Sequence, residues 1–243
     1  MNRLEMLKEK LKKRENVLCT TIANIAWSGL TQKASEYPFD FMIFDLEHGT
    51  LNIEMIEESL RISRLLDLPT VVRIPGSIPS FISRALDMGA DGILLPRVES
   101  ITDVETAINS ARYFPRGRKG CGGYSNFRAD DELSVSKYNA NRMIFVQMES
   151  MEGLAVLPEI LSKYKDELAG IIIGPYDTSI MLGTPLNITS DIMTDYIKKV
   201  FSICKAENIS CGIFIDEASL MQYYQDLGAN IFWTGTDMSL LCE

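Results

Sequence analysis

The chain reads as one α/β domain spanning residues 1–243, a (β/α)8 barrel preceded by an N-terminal helix. Three observations predict this. Eight short apolar or β-branched runs recur along the sequence. Amphipathic helical patterns separate them, and most of the runs are nearly continuous in apolar residues, as strands of a parallel sheet covered on both faces must be. Eight such units in about 240 residues match one closed barrel with helices outside.

The elements follow in order. MNRLEMLKEKLKKRE is a first helix whose basic run, Lys8 to Arg14, forms a solvated face. The strand-like runs are VLCTTIA (17–23), FMIFDLE (41–47), PTVVRIP (69–75), DGILLPRV (91–98), MIFVQME (143–149), GIIIGP (170–175), CGIFI (211–215) and NIFWTGT (230–236). Between them the patterns at 53–66, 79–89, 101–114 and 188–207 predict amphipathic helices. LDMGADGILLP (86–96) and LGANIFWTGTD (227–237) each place a helix-stop glycine just before the next strand. The segment PRGRKGCGGYSNFRADD (115–131) breaks the rhythm. It is loop-like, and reads either as a lid or partner contact across the barrel mouth or as a plain surface insertion.

Composition narrows the function classes. The 24 basic and 33 acidic residues leave a net charge of −9, which argues against nucleic acid or an anionic membrane as partner. Five cysteines (Cys19, Cys121, Cys204, Cys211, Cys242) form no CxxC pair, and one histidine cannot build a histidine cluster. Cys19 and Cys211 fall in strand-like runs and read as buried thiols. The N-terminus lacks a secretory apolar stretch and no apolar run of 18 residues occurs, so a cytoplasmic protein with reduced cysteines is expected.

In a barrel the chemistry collects at the carboxyl ends of strands, so the polar residues there are the candidates. Strand two ends in Asp45, Glu47 and His48, the only histidine. His48 is the default acid/base group, because unperturbed imidazole alone changes charge near neutral pH. Strand three carries Arg73, costly in an apolar strand unless a carboxylate or bound anion satisfies it. Strand five carries Gln147 and Glu149, and strand six runs into Gly174, Pro175, Tyr176 and Asp177. Glu149 and Asp177 could share one divalent cation, with water and substrate oxygens completing its shell. Oxygen donors favour Mg2+ or Mn2+, with Co2+ or Zn2+ also able to occupy such a site. Each carboxylate alone could instead be a salt-bridge partner, and Asp177 could cap a helix starting near Thr178. None of the eight strand segments contains a lysine for a Schiff base, which favours metal chemistry over that route.

FDFMIFDLEHG, VVRIP, ALDMGADGILLP, RYFPRGRKG, FVQMES, IIIGPYDTSIMLG and GTDMSLL, in this order, resemble the HpcH/HpaI aldolase family of class II pyruvate aldolases. The resemblance implies cleavage of a 4-hydroxy-2-oxo acid to pyruvate and an aldehyde through a metal-stabilised enolate. It implies that Glu149 and Asp177 bind the metal and that Arg73 contacts the keto or enolate oxygen. It assigns proton transfer to His48, supported by Asp87, and places Gln147 and the backbone from Pro175 through Tyr176 to Asp177 around the substrate. A homo-oligomer, trimer or hexamer, is also implied. Where the family usually has arginine before glycine, this chain has Lys119–Gly120, and Arg128 is the equivalent of a family arginine in the loosely matching loop. Two other classes stand beside this one: a lyase acting on a coenzyme A thioester, and a non-catalytic barrel that binds an oxo acid.

Overall fold

The structure, a computed structural model, describes residues 1–122, 127, 128 and 131–242. Eight strands, β1 (Val17–Ile22), β2 (Phe41–Asp45), β3 (Thr70–Arg73), β4 (Gly92–Leu95), β5 (Met143–Gln147), β6 (Gly170–Ile173), β7 (Cys211–Ile215) and β8 (Ile231–Thr236), pair in parallel in sequence order. β8 returns to β1 and closes the barrel. The eightfold reading of the sequence is thus the observed architecture. No helix among the described residues is long and apolar enough to cross a membrane.

The helices are α1 (Arg3–Lys13), α2 (Ser28–Ala34), α3 (Glu57–Leu65), α4 (Pro79–Asp87), α5 (Ile101–Ala111), α6 (Val135–Asn141), α7 (Met151–Tyr164), α8 (Pro175–Met181), α9 (Asp191–Ala206), α10 (Met221–Leu227) and α11 (Asp237–Cys242). Several starts are written in the sequence. Asn2 with Glu5 and Ser100 with Asp103 form reciprocal capping boxes, and the Ser150 and Ser190 side chains accept from the third backbone N–H of α7 and α9.

Strand alternation sorts the side chains into two cores. Outward residues such as Phe44, Val72, Ile93 and Val146 pack against the helices. Inward residues, including Phe41, Ile43, Val71, Leu94, Phe145, Ile172 and Trp233, fill the lumen. The rings of Phe41 and Phe145 stack there with centroids 5.4 Å apart. Leu4, Leu7 and Leu11 of α1 join this inner cluster, so the N-terminal helix plugs the amino-terminal end of the barrel. The same alternation, continued one step along each strand, brings Asp45 above Ile43, Arg73 above Val71, and Gln147 and Glu149 above Phe145. A polar floor therefore sits on an apolar plug.

Of the two readings of the long segment, the lid needs correction. Residues 115–122, 127 and 128 of the long segment do not lie across the mouth. Lys119 N–H donates to the carbonyl of Arg112, just beyond α5, and the Arg128 guanidinium reaches Asp91 and Asp67 at the start of β4 and the end of α3. The segment connects a helix to the next strand, and such connections turn at the amino-terminal end of a barrel. Residues 123–126, 129 and 130 lie outside the described residues. Beyond the loop the chain forms α6, begun by Ser134, whose hydroxyl accepts from Lys137 N–H. Cys19 and Cys211 are buried thiols as expected.

Candidate active site

At the carboxyl end of the barrel Asp45 and Arg73 are register partners on β2 and β3. The Arg73 guanidinium donates through Nε and Nη2 to the two Asp45 oxygens, the Nε bond being 2.9 Å, and its Nη1 lies 3.3 Å from Glu47. The guanidinium also sits 5.1 Å from the centre of the Trp233 ring. Asp45 further accepts the backbone N–H groups of Glu47 (3.0 Å) and His48 (3.2 Å), which turns the chain as β2 ends. One buried carboxylate thus satisfies the buried arginine and positions Glu47 and His48.

Glu149 is 3% exposed. Its oxygens accept from Gln147 Nε2 (2.8 Å) and from the backbone N–H of Arg97 (3.1 Å). Burial, followed by the negative charges of Glu47 and Asp177, pushes its carboxyl up to about 7. Burial also raises Glu47, against the pull of Arg73 and His48. Asp177 lies in the first turn of α8, whose N-cap is Gly174, so it belongs inside a helix that begins three residues before the expected start. His48 Nε2 approaches Asp177 at 3.6 Å and Glu47 at 4.0 Å.

The strand ends therefore bring together Glu47, His48, Arg73, Gln147, Glu149 and Asp177. Pro175 is buried at the start of α8, and the Tyr176 hydroxyl turns toward β7, donating to Asp216. Asp87 is placed elsewhere. It is the last residue of α4, which runs back to the amino-terminal end, and its carboxylate pairs with Lys119 Nζ. Within one chain it does not support His48, because a residue at the C-terminus of a barrel helix lies at the opposite rim from the strand ends.

Arg97, in the turn after β4, escaped the sequence reading. Its guanidinium lies 3.5 Å from Asp177 (Nη2) and 3.9 Å from Glu47 (Nε). The signal was present as a basic residue directly after LLP, but its left-handed backbone (φ 48°) is what turns its N–H onto Glu149. Asp45 was legible as a strand-end acid, but its role as the partner of Arg73 needed the register.

Two observations bear on a bound cation. The Gln147 Oε1 atom, buried beside Glu149, has no hydrogen-bond partner. A Cβ on Gly174 would overlap Glu149 Oε1 and meet Gln147 Nε2 at 2.9 Å, so a glycine backbone leaves that space to the carboxylate. A buried orphan oxygen and mutually repelling carboxylates fit a hard cation. Among the described residues no three His, Cys, Asp or Glu side chains are grouped so as to hold a metal ion. A 610 Å3 cavity opens at the other end of the barrel, lined by residues such as Lys8, Arg112, Arg142 and Glu167. It holds none of the strand-end groups.

The family model described as HpcH/HpaI aldolase/citrate lyase matches residues 24–243. The chain belongs to this family. As an HpcH/HpaI member it is a carbon–carbon lyase. It is 27% identical over 226 residues to a hydroxypyruvate/pyruvate aldolase of Roseovarius nubinhibens, covering 89% of this chain and 87% of that one. It is 30% identical to a 5-keto-4-deoxy-D-glucarate aldolase of Salmonella paratyphi C, covering 82% and 78%. The HpcH/HpaI aldolase structure from Desulfitobacterium hafniense shares the fold at a TM-score of 0.89 and 24% identity, over 97% of this chain and 92% of that one.

Proposed function

We propose that this protein is a divalent-metal-dependent aldolase that cleaves a 4-hydroxy-2-oxo acid reversibly to pyruvate and an aldehyde. The observation that carries the reading is the charge imbalance around Glu149. Its carboxylate is opposed by Glu47 and Asp177, while the nearest buried cation, Arg73, is engaged by Asp45. Glu149 and Asp177 would hold the cation, Mg2+ or Mn2+ by donor type, with Co2+ and Zn2+ as substitutes. When bound, it supplies Lewis-acid stabilisation of the charge that develops on the oxo acid.

The chain's own residues do the rest. Asp45 fixes Nε and Nη2 of Arg73, so that Nη1, which also faces Glu47 at 3.3 Å, donates to the keto oxygen as it becomes an enolate oxygen. Gln147 and the backbone from Pro175 through Tyr176 to Asp177 orient the oxo-acid head. His48, half exposed beside Asp177, accepts the proton of the 4-hydroxyl. The C3–C4 bond then breaks, the aldehyde leaves, and a proton returned to the enolate carbon gives pyruvate. The reading includes small-molecule reactants, a cytoplasmic setting and a homo-oligomer.

The test is exchange of pyruvate methyl protons with deuterium in the presence of Mg2+, Mn2+ or Co2+. Metal-dependent exchange is expected in the natural protein and none in Glu149→Ala, while His48→Ala keeps pyruvate binding but exchanges slowly. A folded protein that exchanges with none of these metals would refute the aldolase reading in favour of a thioester lyase or a binding protein.

A further inference from the structure

Asp237, in the GTDMSLL motif, is a buried carboxylate, 5% exposed where β8 gives way to α11. A carboxylate withdrawn from water needs cations or hydrogen-bond donors. Asp237 takes backbone donors: Oδ1 accepts from Ala23 (3.2 Å) and Met238 (3.1 Å), and Oδ2 from Asn24 (2.8 Å) and Ile25 (2.7 Å). Three consecutive N–H groups in the turn after β1 are thereby clamped to the end of β8, the strand beside β1 in the closed ring.

The clamped turn receives the chain that follows His48. Thr50 donates to it twice, its N–H to the Ala23 carbonyl (3.0 Å) and its hydroxyl to the Asn24 carbonyl (3.2 Å). Between them Gly49 passes so close that a Cβ there would overlap the Ala23 carbonyl, and its φ of +88° lies in the region that favours glycine. On the other flank Asp45 accepts the His48 N–H at 3.2 Å. The backbone of His48 is thus tied to β2 by Asp45, and to β1 and β8 through Asp237. Its side chain is held far less firmly. The imidazole is half exposed, and its contacts to Asp177 and Glu47 are 3.6 and 4.0 Å long. The place of the ring is therefore set by the backbone that carries it.

We propose that Asp237 is a positioning residue: by clamping the turn at 23–25 it fixes the segment 48–50, and with it the place of the His48 imidazole. The proposal rests on the aldolase reading only in giving His48 a proton to move. Asp237 acts through two loops and touches no reacting atom.

Exchange of pyruvate methyl protons with Mg2+ in the intact protein, resolved into a maximal rate and a KM, tests this together with NMR of the single imidazole. Asp237→Ala should lower the maximal rate about 10- to 100-fold, as a misplaced catalytic group does, with KM and Mg2+ affinity changed by less than about twofold. Asp237→Asn, which keeps one carbonyl acceptor, should recover part of the rate. In a His48→Ala background, Asp237→Ala should lower the rate little further, because residues that act as a unit are not additive. The His48 imidazole signal should move in Asp237→Ala, and the Thr50 amide should exchange with solvent about tenfold faster. Should that variant not fold, Thr50→Val, which removes one exposed hydroxyl, is expected to lower the rate about fivefold, the worth of one neutral hydrogen bond; an unchanged rate there overturns the proposal. A folded Asp237→Ala protein with the natural rate, or with an unmoved imidazole signal, overturns it as well. So does a loss of rate that persists in full in the His48→Ala background, or one matched by equal losses in KM and Mg2+ affinity, since each marks general distortion of the site. Failure of the aldolase reading is seen separately, as no exchange by the natural protein with any metal, and the imidazole signal then still decides whether Asp237 places His48.

Discussion

Replacing Gly174 by alanine tests how closely the backbone must approach the candidate metal ligand. The residue has φ −88°, which alanine adopts freely. On backbone grounds alone the substitution would stabilise the fold by about 0.4–1 kcal/mol through the unfolded state. The added methyl, however, would overlap Glu149 Oε1 and stand 2.9 Å from Gln147 Nε2. Relieving it means turning the Glu149 carboxylate away from Gln147 and from the Arg97 N–H, which hold it at 2.8 and 3.1 Å. Overpacking costs about 1–3 kcal/mol, and a strained or lost hydrogen bond to a buried charge about 1.5–3 kcal/mol. After the backbone gain the net loss should be about 3.5 kcal/mol, a fall of about 7–14 °C in melting temperature for a chain of this size. Affinity for a divalent cation should fall about 10- to 100-fold, as for disturbed ligand supports generally. Urea denaturation and calorimetric metal titration read the two effects, with Gly120→Ala as the control, because its Cβ meets nothing within 4 Å. A Gly174→Ala protein as stable as the natural one, with unchanged metal affinity, would show that Glu149 does not need the space and refute the reasoning.

Metal affinity should also depend on pH with a sign set by Glu149, whose carboxyl is raised by burial, Glu47 and Asp177 to about 7. Because the folded value lies above the unfolded one, this group's stabilising contribution is complete below the unfolded value and is lost as pH rises through about 7. Below that point a cation must displace the proton, so calorimetric titrations should show affinity falling about tenfold per pH unit from 7 to 5.5, and a flat profile would contradict it. Asp45→Asn should leave the Arg73 guanidinium short of charge in a buried setting. The expected cost is about 3 kcal/mol in urea denaturation. A cost under about 1 kcal/mol would mean that Glu47 suffices for Arg73.

The barrel was legible because it rests on local and repeating signals: apolar runs of strand length, helical periodicity between them, and stop glycines before two of the strands. Glu149 and Arg73 were legible as ionisable groups at the ends of apolar runs, and the need of a buried arginine for a carboxylate or anion is met by Asp45. His48 was legible by being the only histidine. Asp87 shows the limit. The family resemblance assigned it to support His48, yet within one chain the path of α4 carries it to the other rim, where Lys119 takes its carboxylate. Residues 115–122, 127 and 128 failed as a lid for the same reason, because the end of the barrel at which a connection turns depends on whether it follows a strand or a helix.

By itself, then, the sequence determined the architecture and the inventory of strand-end groups, both of which depend on short-range patterning and on the period of two along a strand. Only the tertiary structure decided which of those groups meet. Asp45 faces Arg73 because β2 and β3 pair in that register, and Arg97 overhangs Asp177 because β4 and β6 curve around one lumen. Glu149 is raised because closing the barrel forces three carboxylates from β2, β5 and α8 into one poorly hydrated space. Charge interaction and desolvation fall with distance in space rather than along the chain, so these properties exist only once the ring is closed.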